Sequence, residues 1–221
     1  MLTVSELFDL EHTLAAPLLR GARYPWEVLG GLADFILALG DTLPAALFRH
    51  PAPGVWIAND ATVAPTAYIA APCVIDSGAE IRHGAFIRGS ALIGKGAVVG
   101  NSCEIKNAVL FDGAQVPHFN YVGDSVLGYK AHMGAGAVTS NVKGDHQPVV
   151  VRCGAERVET GRKKVGAMLG DFAEIGCNSV LNPGSVIGRN ARVYPCSSVR
   201  GTVPEGCIYK KAGEIVEQGG R

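Results

Sequence analysis

The chain has 221 residues, 48% of them hydrophobic, with 20 basic and 20 acidic side chains and no net charge. That is enough apolar material for a sizeable core. The balanced charge argues against a nucleic-acid footprint or a polybasic membrane patch and leaves small molecules or proteins as partners. The six cysteines are scattered without a C-x-x-C pair, which argues against a disulfide frame or a structural zinc site and for reduced thiols in a cytoplasmic protein.

In chain order, the first expectation is a helical arm over residues 1–50. Residues 3–20 read as one amphipathic helix opened by a T-x-x-E capping box from Thr3 to Glu6, and a second helix begins near Pro25 and stops at Gly40. The N-terminus lacks a charged region and a cleavage site. The most apolar run, from Trp26 to Gly40, is short and contains Glu27 and Asp34, so no membrane span is expected.

From Ile57 a large apolar residue recurs every six positions: Val63, Ile69, Ile75, Ile81, Ile87, Ile93, Val99, Ile105 and Phe111. A small residue sits two places before most of them, as at Ala79, Ala85, Ala91 and Cys103. The pattern resumes at Leu169 and runs through Ile175, Leu181, Ile187, Val193 and Val199. Such a hexapeptide period predicts an all-β parallel β-helix over 51–210, in which three six-residue sides make a coil. Residues eighteen apart then stack at about 4.8 Å, with the aliphatic column pointing inward. Residues 142–166 break the period. Two β-rich runs around Gly154, followed by GRKK, read as an extruded hairpin loop, and 211–221 reads as a tail.

The stretch VPHFNYVGDSVLG, residues 116–128, departs from the bland repeat. The period slips by one residue between Phe111 and Val116 and again between Val122 and Leu127, which predicts an irregular corner around His118. One external column would then hold His83, Asn101 and His118. Its neighbour would stack Arg88 on Lys106 with no acidic residue between them, an arrangement suited to an anion such as phosphate.

With EIKN at 104–107, MGAGAVTSN at 133–141 and GRKKVGAMLGD at 161–171, this stretch resembles the C-terminal acetyltransferase domain of bifunctional sugar-1-phosphate nucleotidyltransferases. The archaeal-type members are the most similar, through the GRKK loop, and the likeness runs from about residue 56 to 208. YPWEVLGGLADFILALG resembles the helix that links the two domains of those enzymes. The resemblance implies a left-handed β-helix, a homotrimer, and acetyl transfer from acetyl-CoA to an amino-sugar phosphate such as glucosamine-1-phosphate, with no metal required. It assigns His118 as the base and Arg88 and Lys106 as the phosphate pair. Tyr121 would contact the sugar phosphate, and Lys164 would reach substrate from a neighbouring subunit. Ala135 and Asn141 fall where the family holds the acetyl-CoA arm. Two departures stand out: His132 replaces an Asn at the sugar pocket and Cys177 a Ser or Thr on the cofactor side, so a different or nucleotide-linked amino-sugar is an alternative. No G-x-G-T-R loop opens the chain. Nucleotide transfer is therefore expected from a separate uridylyltransferase.

Two rival classes share the repeat. A γ-type carbonic anhydrase binds zinc through three histidines, but His83 and His118 lie two coils apart, about 9.6 Å by strand spacing, too far to share a metal. A non-catalytic hexapeptide scaffold would explain the Ile and Ala columns without explaining the grouping of Lys106, His118, Tyr121 and Asn141.

Overall fold

The computed structural model describes residues 1–219, and the period-six region forms a parallel β-helix with three faces. Face 1 stacks Val55–Ala58, Cys73–Ile75, Ala91–Ile93, the ends of Glu104–Leu110 and Tyr121–Leu127, then Ala167–Leu169, Ser185–Ile187 and Thr202–Val203. Face 2 runs from Thr62–Val63 through Val98–Asn101, Gln115–His118 and His132–Met133 to Cys207–Lys211. Face 3 runs from Tyr68–Ile69 through Phe86–Ile87, the starts of the two seven-residue strands and Val138–Thr139 to Ser198–Val199. Inside, Ile, Val and Leu alternate with the small column, and this set is buried apart from the first coil, where Val63 and Ile69 are half-buried. Each buried aliphatic residue contributes roughly 1.5 to 3 kcal/mol.

Register places the slips differently from expectation. Ile105 pairs with Ile87, eighteen residues back, whereas Leu110 pairs with Ile93, only seventeen back. The first lost residue therefore lies in the corner Lys106–Asn107, not between Phe111 and Val116. The second lies at Gly123–Asp124, within the expected interval, because Leu127 pairs with Leu110. At these shortened corners one strand runs unbroken from face 3 onto face 1, as Glu104–Leu110 and Tyr121–Leu127. Leu110 takes the inward column. Phe111 is displaced to the outside, where its ring lies 5.0 Å from that of Phe8.

The outer side of face 1 is a second core. Val74, Leu92, Val109, Val126, Met168 and Val186 are buried beneath Leu7, Leu19, Trp26, Leu32 and Ile36 of the N-terminal arm. The arm is not two long helices. Residues 3–20 break into Val4–Leu7, a 3-10 turn at Leu10–His12 and Ala16–Arg20, because the backbone at Asp9 leaves the helix to donate to Asp171 Oδ2 at 2.7 Å. The capping carboxylate is in place: Glu6 Oε2 accepts from the Thr3 N–H at 2.7 Å. The second helix divides into a 3-10 segment Pro25–Gly30 and an α-helix Leu32–Gly40. Strand Phe48–Ala52, antiparallel to Val55–Ala58, begins the sheet inside the segment expected to be arm.

The loop holds the expected hairpin, with Val150–Cys153 antiparallel to Glu156–Glu159; it is extruded from the coil between Leu127 and Leu169 and folds back on the outside of the solenoid. Val149 and Val151 are fully buried in the second core, and Thr202 Oγ1 donates to the Arg152 carbonyl at 2.8 Å. At the C-terminus Glu214–Glu217 pairs antiparallel with Cys207–Lys211, so the start of the expected tail is part of the sheet. Among the described residues no helix is long and apolar enough to cross a membrane.

Candidate active site

The corner between faces 2 and 3 presents His118. The strand Gln115–His118 lies on Val98–Asn101, with His118 opposite Asn101. Phe119 turns the chain with φ of +53°, and Asn120, 2% exposed, braces the turn from inside. Its Oδ1 accepts the His118 N–H at 3.0 Å, while its Nδ2 donates to the carbonyls of Gly134 at 2.8 Å and Ala137 at 3.0 Å. A buried amide tied to two coils thus fixes the His118 backbone. The His118 residue is exposed, and among the described residues its imidazole has no hydrogen-bonded partner, whereas His83 is engaged by the Thr66 hydroxyl at 2.7 Å.

The same corner continues through Ala135 and Cys177. Gly136 N–H donates to the His118 carbonyl at 3.0 Å and Asn178 N–H to the Ala135 carbonyl at 2.8 Å, so the three positions succeed one another coil by coil. Cys177 is exposed and unpaired by any disulfide.

The second cluster lies on face 3 and the shortened corners beside it. Arg88 Nη1 meets Glu104 Oε1 at 2.6 Å, and Lys106 Nζ stands 3.9 Å from Asp124 Oδ2. The two stacked cations are thus each matched by a carboxylate, which corrects the expectation of an unneutralised column. Asp124, 5% exposed at its side chain, also accepts from Asn107 Nδ2 at 2.7 Å and Asn141 Nδ2 at 2.5 Å. Asn141 Nδ2 donates to the Tyr121 hydroxyl at 3.2 Å. Burial, with the Asp124 charge second, raises the Tyr121 phenol above its ordinary value. The Tyr121 ring crosses the face above Gly123, where a Cβ would stand 2.7 Å from Tyr121 Cζ. Glycine is required there for the ring to lie flat.

The backbone of Lys164 runs beside Asn141: Val142 bridges to Lys164, and Val165 N–H donates to the Asn141 carbonyl at 3.1 Å, with the Lys164 residue exposed. The structure therefore places Lys164 beside Asn141 of its own subunit, and Asn141 with Tyr121 and not in the column of Ala135. His132 is not brought in. It sits at the start of its face 2 strand, opposite Gln115, with Nδ1 2.9 Å from Glu174 Oε2, because its register position is three residues before the His118 column. Glu104, Asp124, Asn107 and Asn120 were missed. For two of them the signal exists at a seventeen-residue step, which aligns Asn107 and Asp124 with Asn141.

Residues 69–151 match the family model described as the GMPPB C-terminal domain. A bifunctional sugar-1-phosphate nucleotidylyltransferase/acetyltransferase of Sulfurisphaera tokodaii is 37% identical over 107 residues, 48% of this chain and 27% of that protein. The bifunctional protein GlmU of Methanococcus maripaludis is 35% identical over 109 residues, 49% of this chain and 26% of that one. The aligned part thus spans about a quarter of these relatives' length. It bears out the resemblance carried by the motifs. Among solved structures, a point mutant of GDP-perosamine N-acetyl transferase from Caulobacter crescentus, in complex with CoA and GDP-perosamine, is 17% identical with a TM-score of 0.31, covering 75% of this chain and 57% of that one. The acetyltransferase domain of PglB from Neisseria gonorrhoeae, in complex with acetyl coenzyme A, is 16% identical with a TM-score of 0.30, covering 70% of this chain and 53% of that one.

Proposed function

We propose that the chain is an N-acetyltransferase that moves the acetyl group of acetyl-CoA to the amine of an amino-sugar phosphate, glucosamine-1-phosphate being the first substrate to test. The observation that carries this reading is the unengaged His118 imidazole on a backbone braced by Asn120, between the Ala135–Cys177 column and the polar cluster at Tyr121. The related archaeal enzymes name the reaction class.

In this reading acetyl-CoA lies along the corner past Ala135 and Cys177, with its thioester at His118. The amine attacks the thioester carbon, His118 takes the amine proton, the C–N bond forms, and the C–S bond breaks. The proton then passes to the departing thiolate. Arg88, Lys106 and Lys164 supply the positive side of the sugar phosphate's surroundings. Glu104 and Asp124 offset two of those charges, so Lys164 provides the excess that an anion needs. The product feeds nucleotide-sugar synthesis through a separate uridylyltransferase. Exposed Tyr68 and Phe86, in T-shaped contact on face 3, fit a contact between copies in a cytoplasmic homotrimer.

The test is thiol release from acetyl-CoA across glucosamine-1-phosphate, galactosamine-1-phosphate, the free amino-sugars and their nucleotide-linked forms. Preference for a hexosamine-1-phosphate is expected. Turnover confined to nucleotide-linked amines would replace this substrate, and no turnover with any of them would remove the activity.

A further inference from the structure

We propose that Asp124 is a positioning residue that sets which hydrogen-bonding groups the site shows to the sugar. The inference rests on the acetyltransferase reading and deepens it.

A carboxylate only accepts, so the Asn141 amide beside it turns its NH2 group toward Asp124 Oδ2, at 2.5 Å. The same Nδ2 donates to the Tyr121 hydroxyl oxygen at 3.2 Å. Two consequences follow at atoms that have no other partner among the described residues. Asn141 Oδ1 points away from the carboxylate as a free acceptor, and the Tyr121 hydroxyl, already accepting, has its own proton to donate. Lys106 Nζ, 3.9 Å from Asp124, is held on the same side as a third group. One nearly buried carboxylate thus orders an acceptor, a donor and a cation toward face 3.

Asp124 is itself fixed on several sides. Asn107 Nδ2 donates to Oδ1 at 2.7 Å, and the Gly166 N–H donates to the Asp124 carbonyl at 2.8 Å, which ties the corner to the end of the loop that carries Lys164. Its φ is +49°, as Asn107 has +48° in the coil before, so both shortened corners turn on a left-handed residue. The substrate this presentation fits has a hydroxyl or amine donor facing Asn141, an oxygen acceptor facing Tyr121 and an anionic group within reach of Lys106. A hexosamine phosphate carries all three.

Asp124→Asn is nearly isosteric but can offer either an oxygen or an NH2, so the Asn141 amide is free to reverse. The expected result is a KM for the amino-sugar phosphate raised about tenfold or more, with the KM for acetyl-CoA unchanged. Asn141→Ala should give a similar loss, and the double variant should lose no more than Asn141→Ala with Lys106 intact, since the two residues act in series. A purely structural role would lower the melting temperature and leave both KM values alone, which overturns the inference. So would additive losses, or a raised KM for acetyl-CoA instead, which would put Asn141 on the cofactor side. Should Asp124→Asn be poorly folded, Asn141→Ala with Tyr121→Phe gives the same comparison without touching the buried charge. These results require that the wild-type protein turns over an amino-sugar phosphate. Its failure to do so with every member of the panel would overturn the activity itself, and the positioning role with it, a result distinct from an active wild type with an indifferent variant.

Discussion

Faces 1 and 3 each turn an aliphatic column inward and differ outside. On face 1 the coils from Trp56 to Val186 place an apolar residue outward, as at Val74, Leu92, Val109, Val126 and Met168, and the chain covers this row with its own arm and hairpin. On face 3 the corresponding row is Tyr68, Phe86, Glu104, Tyr121, Val138 and Val180, and it is left open, with Tyr68 64% exposed. The inner column makes the solenoid, and the outer row determines what each face does. A covered face can hold only packing. The open face and the corner that borders it are where a charge, a phenol and an unengaged imidazole are tolerated, because water solvates them until substrate arrives.

The sharpest way to break this contrast is at His118. His118→Ala should lower acetyl transfer by about 10² to 10⁴ while leaving the melting temperature and acetyl-CoA binding nearly unchanged, because the side chain is exposed and unbonded. Wild-type turnover in this variant would give the base to another group. The paired packing test compares a truncation to alanine on each of the two faces. Leu92→Ala, fully buried under the arm, should cost about 2 to 5 kcal/mol in denaturant unfolding. Phe86→Ala, 40% exposed, should cost under about 1 kcal/mol in the isolated chain. Equal losses in the isolated chain would mean that Phe86 is packed within the fold as Leu92 is.

A smaller effect sharpens the comparison within face 3. Gly123→Ala would place a methyl group against the Tyr121 ring and move its hydroxyl off Asn141. The KM for the sugar phosphate should rise by about three- to tenfold, with little change in kcat. An unchanged KM would show that Tyr121 does not touch the substrate.

What the sequence makes legible follows the same division. The inner column of Ile57, Ile75 and Ile93 is readable because its period is strict and its chemistry uniform. Phe111 breaks the reading because Leu110 beside it is equally apolar, so a one-residue slip goes unnoticed there. The doubled apolar pairs Val74–Ile75, Leu92–Ile93 and Val109–Leu110 do signal a face buried on both sides, once the three faces are known. His118 and Tyr121 stand out by composition. Asp124 does not, because it joins Asn107 and Asn141 only at a step of seventeen, and the repeat elsewhere teaches eighteen. The single helix expected over residues 3–20 fails for a tertiary reason: Asp9 donates its N–H to Asp171, far along the chain, and any continuous helix would lose that bond.

The smallest effect lies where the cover of face 1 ends. Asp76 follows the strand Cys73–Ile75 and lines a recess of about 610 Å³ with Leu14, Leu43, Leu47 and Lys95. It is 3% exposed, its Oδ1 accepts from the Ser77 N–H at 2.7 Å, and its Oδ2 has no partner. Burial raises its carboxyl above the ordinary value, with the Ser77 N–H and the Lys95 charge opposing. The sign follows from linkage: the folded protein holds this proton more tightly than the unfolded chain does. Stability from this group is full below the ordinary carboxylate value and is lost as pH rises through the raised one. At neutral pH, well above the ordinary carboxylate value, this group therefore costs the folded state stability, and Asp76→Asn, which buries a neutral amide instead, should melt slightly above wild type. The gap should close as pH falls below the ordinary carboxylate range, where both side chains are neutral. A variant that melts lower at neutral pH would show that attraction to Lys95 outweighs desolvation, and the edge of the covered face would then be held by charge as the open face is.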